Sequence, residues 1–478
     1  MIDGSSKHRM LRPHLLVCAP SNGAVFNILD RVVKSGFMQR DGQRYQPSIA
    51  HVGVTSSSEF SVELKARSLL NMSREDWLLW FSRQCHTVKV LENEMQLHFG
   101  SLSAESTRPS SLLPETTIST VLSMYENRDR ALADLSRLEH LRGYFEGRCT
   151  DESRLDELRS RLEASIVDEA EIVFTTLASS GKRCLMSMSH GFKTLIVDEA
   201  AQSTESCLLL PLFHGVKHCV LVGDPKQLPS TVLSKLAAKS NYDRSLFERL
   251  VDCGIVPCLL SIQYRMHPSI SRFPSNFFYG GKLVDGAHGY KFEMESLRIS
   301  GPVAHGPYLI FDTIDGIEER NERGSVKNDY EALLCMRLIL AVETSLECSE
   351  GPCISATIIT PYAFQCEVMY SMTRELRLRK LTIAISTIDG FQGRESDMVI
   401  FSCVRNSLSG MGFMTDARRL NVAITRAKSI LWILCSSRAM NDSTFRELFD
   451  DARTRNVIVS KVAVNGFMAH VEPQSTTV

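Results

Sequence analysis

The chain has 478 residues, 44% hydrophobic and 23% charged, which are the proportions of a globular protein rather than a disordered one, and the length accommodates about three domains. Its 54 lysines and arginines stand against 55 aspartates and glutamates, a formal charge of −1, which excludes nucleic-acid binding through bulk positive charge and leaves room only for a local site. No run of about eighteen apolar residues occurs, and Met1 to Arg12 carry no apolar signal core, so the chain reads as soluble and intracellular, with no membrane partner.

Short β-branched runs bounded by turn residues predict strands at His14–Ala19, Glu171–Thr175, Thr194–Val197 and His218–Val222. Five more are expected at Tyr308–Phe311, Ser355–Ile359, Thr382–Ile385, Met398–Cys403 and Ile430–Cys435. The intervals are mostly long enough for helices, so the expected fold is α/β with two largely parallel sheets buried on both faces. The first sheet domain is expected over residues 1–52 and 171–258, the second over 259–457, and a C-terminal tail over 458–478. Between them, residues 53–170 read as a helical insertion. Leu132, Leu135 and Leu138, then Leu155, Leu158, Leu162 and Ile166, mark two amphipathic helices around a turn at Gly147–Thr150. The Ser/Thr/Pro-rich stretch Ser101–Thr120 reads as a mobile loop. None of the fourteen cysteines forms a C-x-x-C pair. Cys18, Cys219, Cys403 and Cys435 fall in apolar strands and are expected as buried thiols rather than zinc ligands or disulfides.

Several strands end in chemically loaded loops. Leu195 to Val197 run into Asp198-Glu199, a carboxylate pair that in an α/β sheet faces the ligand crevice, where one acid can hold Mg²⁺ and the other a water; the same pair also suits a turn or a helix start. Gly223-Asp224-Pro225-Lys226-Gln227-Leu228-Pro229 either places the Gln227 amide at a phosphate or is a plain turn. Gln263-Tyr264-Arg265-Met266-His267-Pro268 sets an aromatic ring beside a guanidinium, which suits a nucleotide or, equally, a buried Tyr with a surface ion pair. Thr387–Glu395 is a polar, glycine-punctuated loop. Arg418–Ala427 reads as a helix, with Arg419 and Arg426 seven apart on one face.

Taken in order, APSN (Ala19–Asn22), DEAAQ (Asp198–Gln202), GDPKQLP (Gly223–Pro229), QYRMHP (Gln263–Pro268), ITPY (Ile359–Tyr362), DGFQGRE (Asp389–Glu395) and RRLNVAITRAK (Arg418–Lys428) resemble the motifs of superfamily 1 helicases. The resemblance is to the branch of senataxin and the nonsense-mediated-decay helicase, senataxin above all, and runs from about Leu15 to about Val457. It implies two RecA-like domains that use ATP and Mg²⁺. On that likeness Asp198 would hold the metal through water, Glu199 would activate the attacking water, and Gln227 would sense the γ-phosphate. Tyr264, Gly393 and Glu395 would bind the nucleotide, with Arg265 and Arg426 as arginine fingers. Pro20, Ser21, Asn22, Thr175, Thr176, Pro229, Thr360, Pro361, Tyr362 and Gln392 would line a track for single-stranded RNA or DNA. The resemblance further implies 5′-to-3′ movement, a monomer, a nuclear location and RNA-processing or transcription-termination partners.

One part of the pattern has no counterpart in these residues. The family's phosphate-binding loop, G-x-x-x-x-G-K-[ST], does not occur; Ser179-Ser180-Gly181-Lys182-Arg183 comes nearest, with Arg where Ser or Thr should meet the metal. The expectation is therefore an N-terminally truncated helicase, with a short form that binds single strands or a protein without turnover as the alternative.

Overall fold

The computed structural model describes residues 14–38, 42–53, 59–105, 115–146, 151–188, 191–287, 306–348, 352–374, 376–406 and 411–470. The chain divides into two compact units, Met1–Asp224 with Pro229–Leu250, and Pro225–Leu228 with Val251–Val478. Among the described residues no helix is long and apolar enough to cross a membrane.

In chain order the first unit carries β1 (Leu15–Ala19), α1 (Asn22–Ser35), a hairpin of β2 (Phe37–Met38) and β3 (Arg44–Tyr45), and β4 (Ile49–Val52). The helices α2 (Val62–Leu70), α3 (Arg74–Glu105), α4 (Glu115–Phe145) and α5 (Glu152–Val167) follow, then β5 (Ile172–Thr176), α6 (Arg183–Met186), β6 (Thr194–Val197), α7 (Glu205–Leu212) and β7 (His218–Leu221). It ends in α8 (Lys235–Lys239) and α9 (Leu246–Asp252). The five main strands form one parallel sheet in the order β4-β5-β1-β6-β7. Alternate side chains feed opposite cores: Leu16, Cys18, Val173, Leu195 and Val197 pack on one face, and Val17, Ala19 and Phe174 meet Val25 and Leu29 of α1 on the other. The Ser21 hydroxyl caps α1 by accepting from the Ala24 amide.

Three expectations are corrected in this unit. β4 lies in the N-terminal part of the first sheet domain, residues 1–52, where no strand is expected after Ala19, because its apolar run is short and broken by His51, whose ring is fully buried against Phe26. The expected loop Ser101–Thr120 is helical at both ends, since α3 runs to Glu105 and α4 starts at Glu115. Packing of the two helices, tied by a Trp77 Nε1 bond to the Leu138 carbonyl (2.9 Å), outweighs the weak helix propensity of Ser and Thr. Cys219 is exposed, since β7 is the outermost strand. The turn expected at Gly147–Thr150 lies outside the described residues.

The second unit begins with β8 (Ile262–Gln263), α10 (Pro268–Tyr279), β9 (Val284–Asp285), β10 (Tyr308–Asp312) and the hairpin β11 (Glu318–Arg320) and β12 (Val326–Asn328). It continues through α11 (Asp329–Cys348), β13 (Ile354–Thr360), α12 (Ala363–Thr373), β14 (Leu381–Thr387), β15 (Ser396–Ser402), α13 (Ala417–Ile424) and β16 (Ala427–Cys435) to α14 (Ser443–Thr454), β17 (Ile458–Val459) and α15 (Lys461–His470). Its parallel sheet has the order β14-β13-β15-β16-β10-β17. Ile358, Ile400 and Trp432 fill one face; Ile359, Phe401 and Ile433 fill the other. The segment expected as a C-terminal tail instead supplies β17, paired with β10, and α15, which buries Val464 and Phe467 in the core.

The arginine helix is also shorter than expected. α13 stops at Ile424, where the Thr425 hydroxyl bonds back to the Asn421 carbonyl (2.7 Å) and the β-branched run of β16 takes over. Arg419 lies on the helix, whereas Arg426 lies beyond it, so the two do not share a helical face.

Candidate nucleotide and nucleic-acid sites

Because every strand of the first sheet is parallel, the loops after β1, β5, β6 and β7 emerge at one edge. Asp198 follows β6, with its amide bonded to the Cys18 carbonyl of β1 (2.9 Å). Burial raises the Asp198 carboxyl above its ordinary range, against the opposing pull of the Glu199 amide and of Arg31. Glu199 takes a left-handed backbone (φ 53°), a costly conformation for a residue with a side chain. The next amide, Ala200, anchors the turn to the Val222 carbonyl (2.7 Å), and the Glu199 carboxylate accepts from the Gln202 amide. Gly223 is required by this turn: a Cβ there would stand 2.7 Å from the Ala201 nitrogen.

In the second unit a set of charged side chains gathers where β15 and β16 begin, Ser396 facing Ala427. Arg265 Nε donates to Glu395 Oε2 (2.8 Å) and its Nη1 to the Thr425 carbonyl (3.2 Å), while Lys428 Nζ meets Glu395 Oε1 at 2.9 Å. Burial opposes ionisation of Glu395, yet Lys428 and Arg265 hold its pKa down at about 2. Arg426, 2% exposed, donates to the Val422 carbonyl (3.0 Å), the Arg394 carbonyl (3.4 Å) and the Gln227 side-chain oxygen (3.1 Å). The loop bearing Gln227 is anchored here through Leu228, which is buried, and through Asn421 Nδ2, which bonds the Lys226 carbonyl (2.9 Å). Gly393 adopts φ 75°, open to glycine at no steric cost. Tyr264 is 69% exposed, and its ring lies so close to Gly286 that a Cβ there would collide with it.

The residues expected on the strand track divide by burial. Pro20, Ser21 and Asn22 lie at the mouth of α1, the last two exposed; Pro229 is half-buried. Thr175 is fully buried, and its hydroxyl donates to the carbonyl of Val52, its register partner on β4 (2.7 Å). Thr176 accepts from the Ser179 amide (3.2 Å). Thr360 Oγ1 and Gln392 Nε2 are buried with no hydrogen-bond partner among the described residues. Pro361 and Tyr362 open α12, beside a cleft of about 410 Å³.

Residues 2–235 match a family model described as an AAA domain, and residues 242–438 match a second model of the same description. Helicase SEN1 of Saccharomyces cerevisiae is 33% identical over 486 residues, covering 98% of this chain and 21% of the yeast protein. The probable helicase senataxin of Homo sapiens is 38% identical over 310 residues (61% of this chain, 11% of senataxin). A regulator of nonsense transcripts 1 homolog of Arabidopsis thaliana is 40% identical over 256 residues (52% and 20%). The chain belongs to the superfamily 1 helicases, in the senataxin and nonsense-mediated-decay branch. It spans about a fifth or less of the length of these three relatives.

Within this helicase chain, some side chains of the charged cluster were not among the residues singled out from sequence. Lys428 shares Glu395 with Arg265, and Asn421 fixes the Gln227 loop. Both lie inside RRLNVAITRAK, so the motif itself was the signal. Arg31, which acts on Asp198, had none, since it is one of several charges on α1.

Proposed function

We propose that the chain is the core of an ATP-dependent helicase or translocase that moves along single-stranded RNA or DNA. Glu199 orients the attacking water and accepts its proton; Arg265 and Arg426 offset charge developing on the γ-phosphoryl group, with Gln227 sensing its presence. Tyr264 packs near the base, and Gly393 and Glu395 complete the nucleotide contacts. Asp198 suits Mg²⁺, because a desolvated carboxylate is favoured in its ionised form by a hard cation. Bound Mg²⁺ would neutralise charge on the phosphates. The observation that carries the reading is Arg426, an almost fully buried guanidinium fixed by carbonyl oxygens and aimed at Gln227. A purely structural pair would be cheaper to build from apolar residues.

Pro20, Ser21, Asn22, Thr176, Pro229, Thr360, Pro361, Tyr362 and Gln392 fit backbone contacts that position a strand without reading its sequence. The likeness to senataxin supports a nuclear role alongside RNA-processing or transcription-termination proteins. The 478 residues contain no G-x-x-x-x-G-K-[ST] segment, which favours a second reading, strand binding without turnover. Strand-stimulated ATP hydrolysis by the protein purified from its own cells separates the two. Turnover abolished by Glu199→Gln with strand binding retained supports the first; binding without turnover in the unaltered protein supports the second.

A further inference from the structure

Gln263 ends β8 and opens the turn that carries Tyr264 and Arg265. Tyr264 to His267 lie in neither helix nor strand, so no ladder of backbone bonds fixes Arg265, and its amide needs a partner from elsewhere. The Gln263 side chain supplies one. Its oxygen accepts from the Arg265 amide (2.9 Å) and the Met266 amide (2.8 Å), and its nitrogen donates to the Met266 carbonyl (2.8 Å) and to Asp285 Oδ1. A glutamine amide offers two lone pairs and two donors, and here each is engaged. Asp285 is fixed in turn: it is the register partner of Gln263 on β9, and the hydroxyl of the buried Ser271 on α10 donates to the same Oδ1 (2.7 Å). At the far end of the turn the His267 amide donates to the Lys428 carbonyl (2.8 Å) on β16. Arg265 thus sits between two anchors, and its guanidinium reaches Glu395 and Thr425 from a backbone that Gln263 holds.

We infer that Gln263 is a positioning residue for ATP turnover: with Asp285 behind it, it sets the backbone from which Arg265 meets the γ-phosphoryl group. The inference rests on the ATP-hydrolysing reading and adds Gln263, Asp285 and Ser271 to it. Gln263 acts only through Arg265. The charge that Arg265 offsets develops in the transition state, so loss of its placement falls on kcat rather than on KM. A misplacement of about 1 Å at such a group costs on the order of 10²-fold in rate.

The test is a double-mutant cycle on strand-stimulated ATP turnover by the natural protein, with kcat and KM for ATP taken from steady-state phosphate release. Gln263→Ala should lower kcat about 10²-fold and change KM by less than about threefold. Arg265→Ala should lower kcat by about 10³-fold or more. The double variant should match Arg265→Ala within about threefold, because Gln263 then has no guanidinium to place; a purely structural role would multiply the two losses. Asp285→Ala, at an exposed position, should lower kcat about tenfold, and Asp285→Asn, which keeps the accepting oxygen, should recover most of that loss. This second pair decides the matter where Gln263→Ala fails to fold. Multiplied losses in the double variant, a raised KM with kcat kept in Gln263→Ala, or an Asp285→Ala form that turns over as fast as the unaltered protein overturns the inference and leaves the ATP-hydrolysing reading standing. An Arg265→Ala form with undiminished kcat, or an unaltered protein without strand-stimulated turnover, defeats both together.

Discussion

Replacing Glu395 by Gln tests the charged cluster at its centre. The carboxylate lies between Arg265 and Lys428, with 32% of its side chain exposed, and its pKa falls from the ordinary 4.5 to about 2. At about 1.4 kcal/mol for each pKa step, the ionised form gains at most about 3 kcal/mol from folding; screening at a partly exposed pair brings this to about 1–2 kcal/mol. A carboxylate with a depressed folded pKa contributes fully above 4.5 and loses its contribution as pH falls toward 2. Urea denaturation of both proteins at intervals from pH 7 to pH 3 should therefore show Glu395→Gln less stable by about 1–2 kcal/mol at pH 7, with the gap at least halved by pH 3. A gap that stays constant over this range, or no gap at pH 7, would refute the argument that the ion pairs hold this carboxylate ionised.

Further outcomes follow from individual contacts. Arg426→Lys keeps the charge but loses the fork, and strand-stimulated ATP turnover by the natural protein should fall by about 10³ or more; steady-state phosphate release checks it. Thr175→Val should cost about 1 kcal/mol of stability through the lost bond to the Val52 carbonyl, yet leave strand affinity unchanged in anisotropy, because that hydroxyl is buried. Gly223→Ala should destabilise the protein by about 1–3 kcal/mol by driving a methyl into the Ala200–Ala201 turn, seen as a lowered urea midpoint.

The strands were legible because a parallel sheet covered on both faces writes itself as continuous β-branched runs. β4 escaped this rule through its buried His51, and β17 and α15 because Ile458, Val459, Val464 and Phe467 are too sparse to read as a core before β10 is known to lie beside them. The motif loops announced which residues carry chemistry. Their partnerships did not, since Arg265 and Glu395 are separated by 130 positions and Arg405 and Glu318 by 87. Arg265 follows β8 and Glu318 lies in the β11–β12 hairpin, both outside the six-stranded sheet, so only the tertiary packing of the second unit brings these pairs together. Thr175 shows the same limit: its hydroxyl is visible in the sequence, but its bond to the Val52 carbonyl depends on β4 lying beside β5.

Strand displacement from tailed duplexes tests the central claim most directly. The natural protein with ATP and Mg²⁺ should release the labelled strand of a duplex bearing a 5′ single-stranded tail, release little from one bearing a 3′ tail, and lose this activity in the Glu199→Gln form. Equal displacement by the Glu199→Gln form, or none by the unaltered protein on either tail, would contradict it.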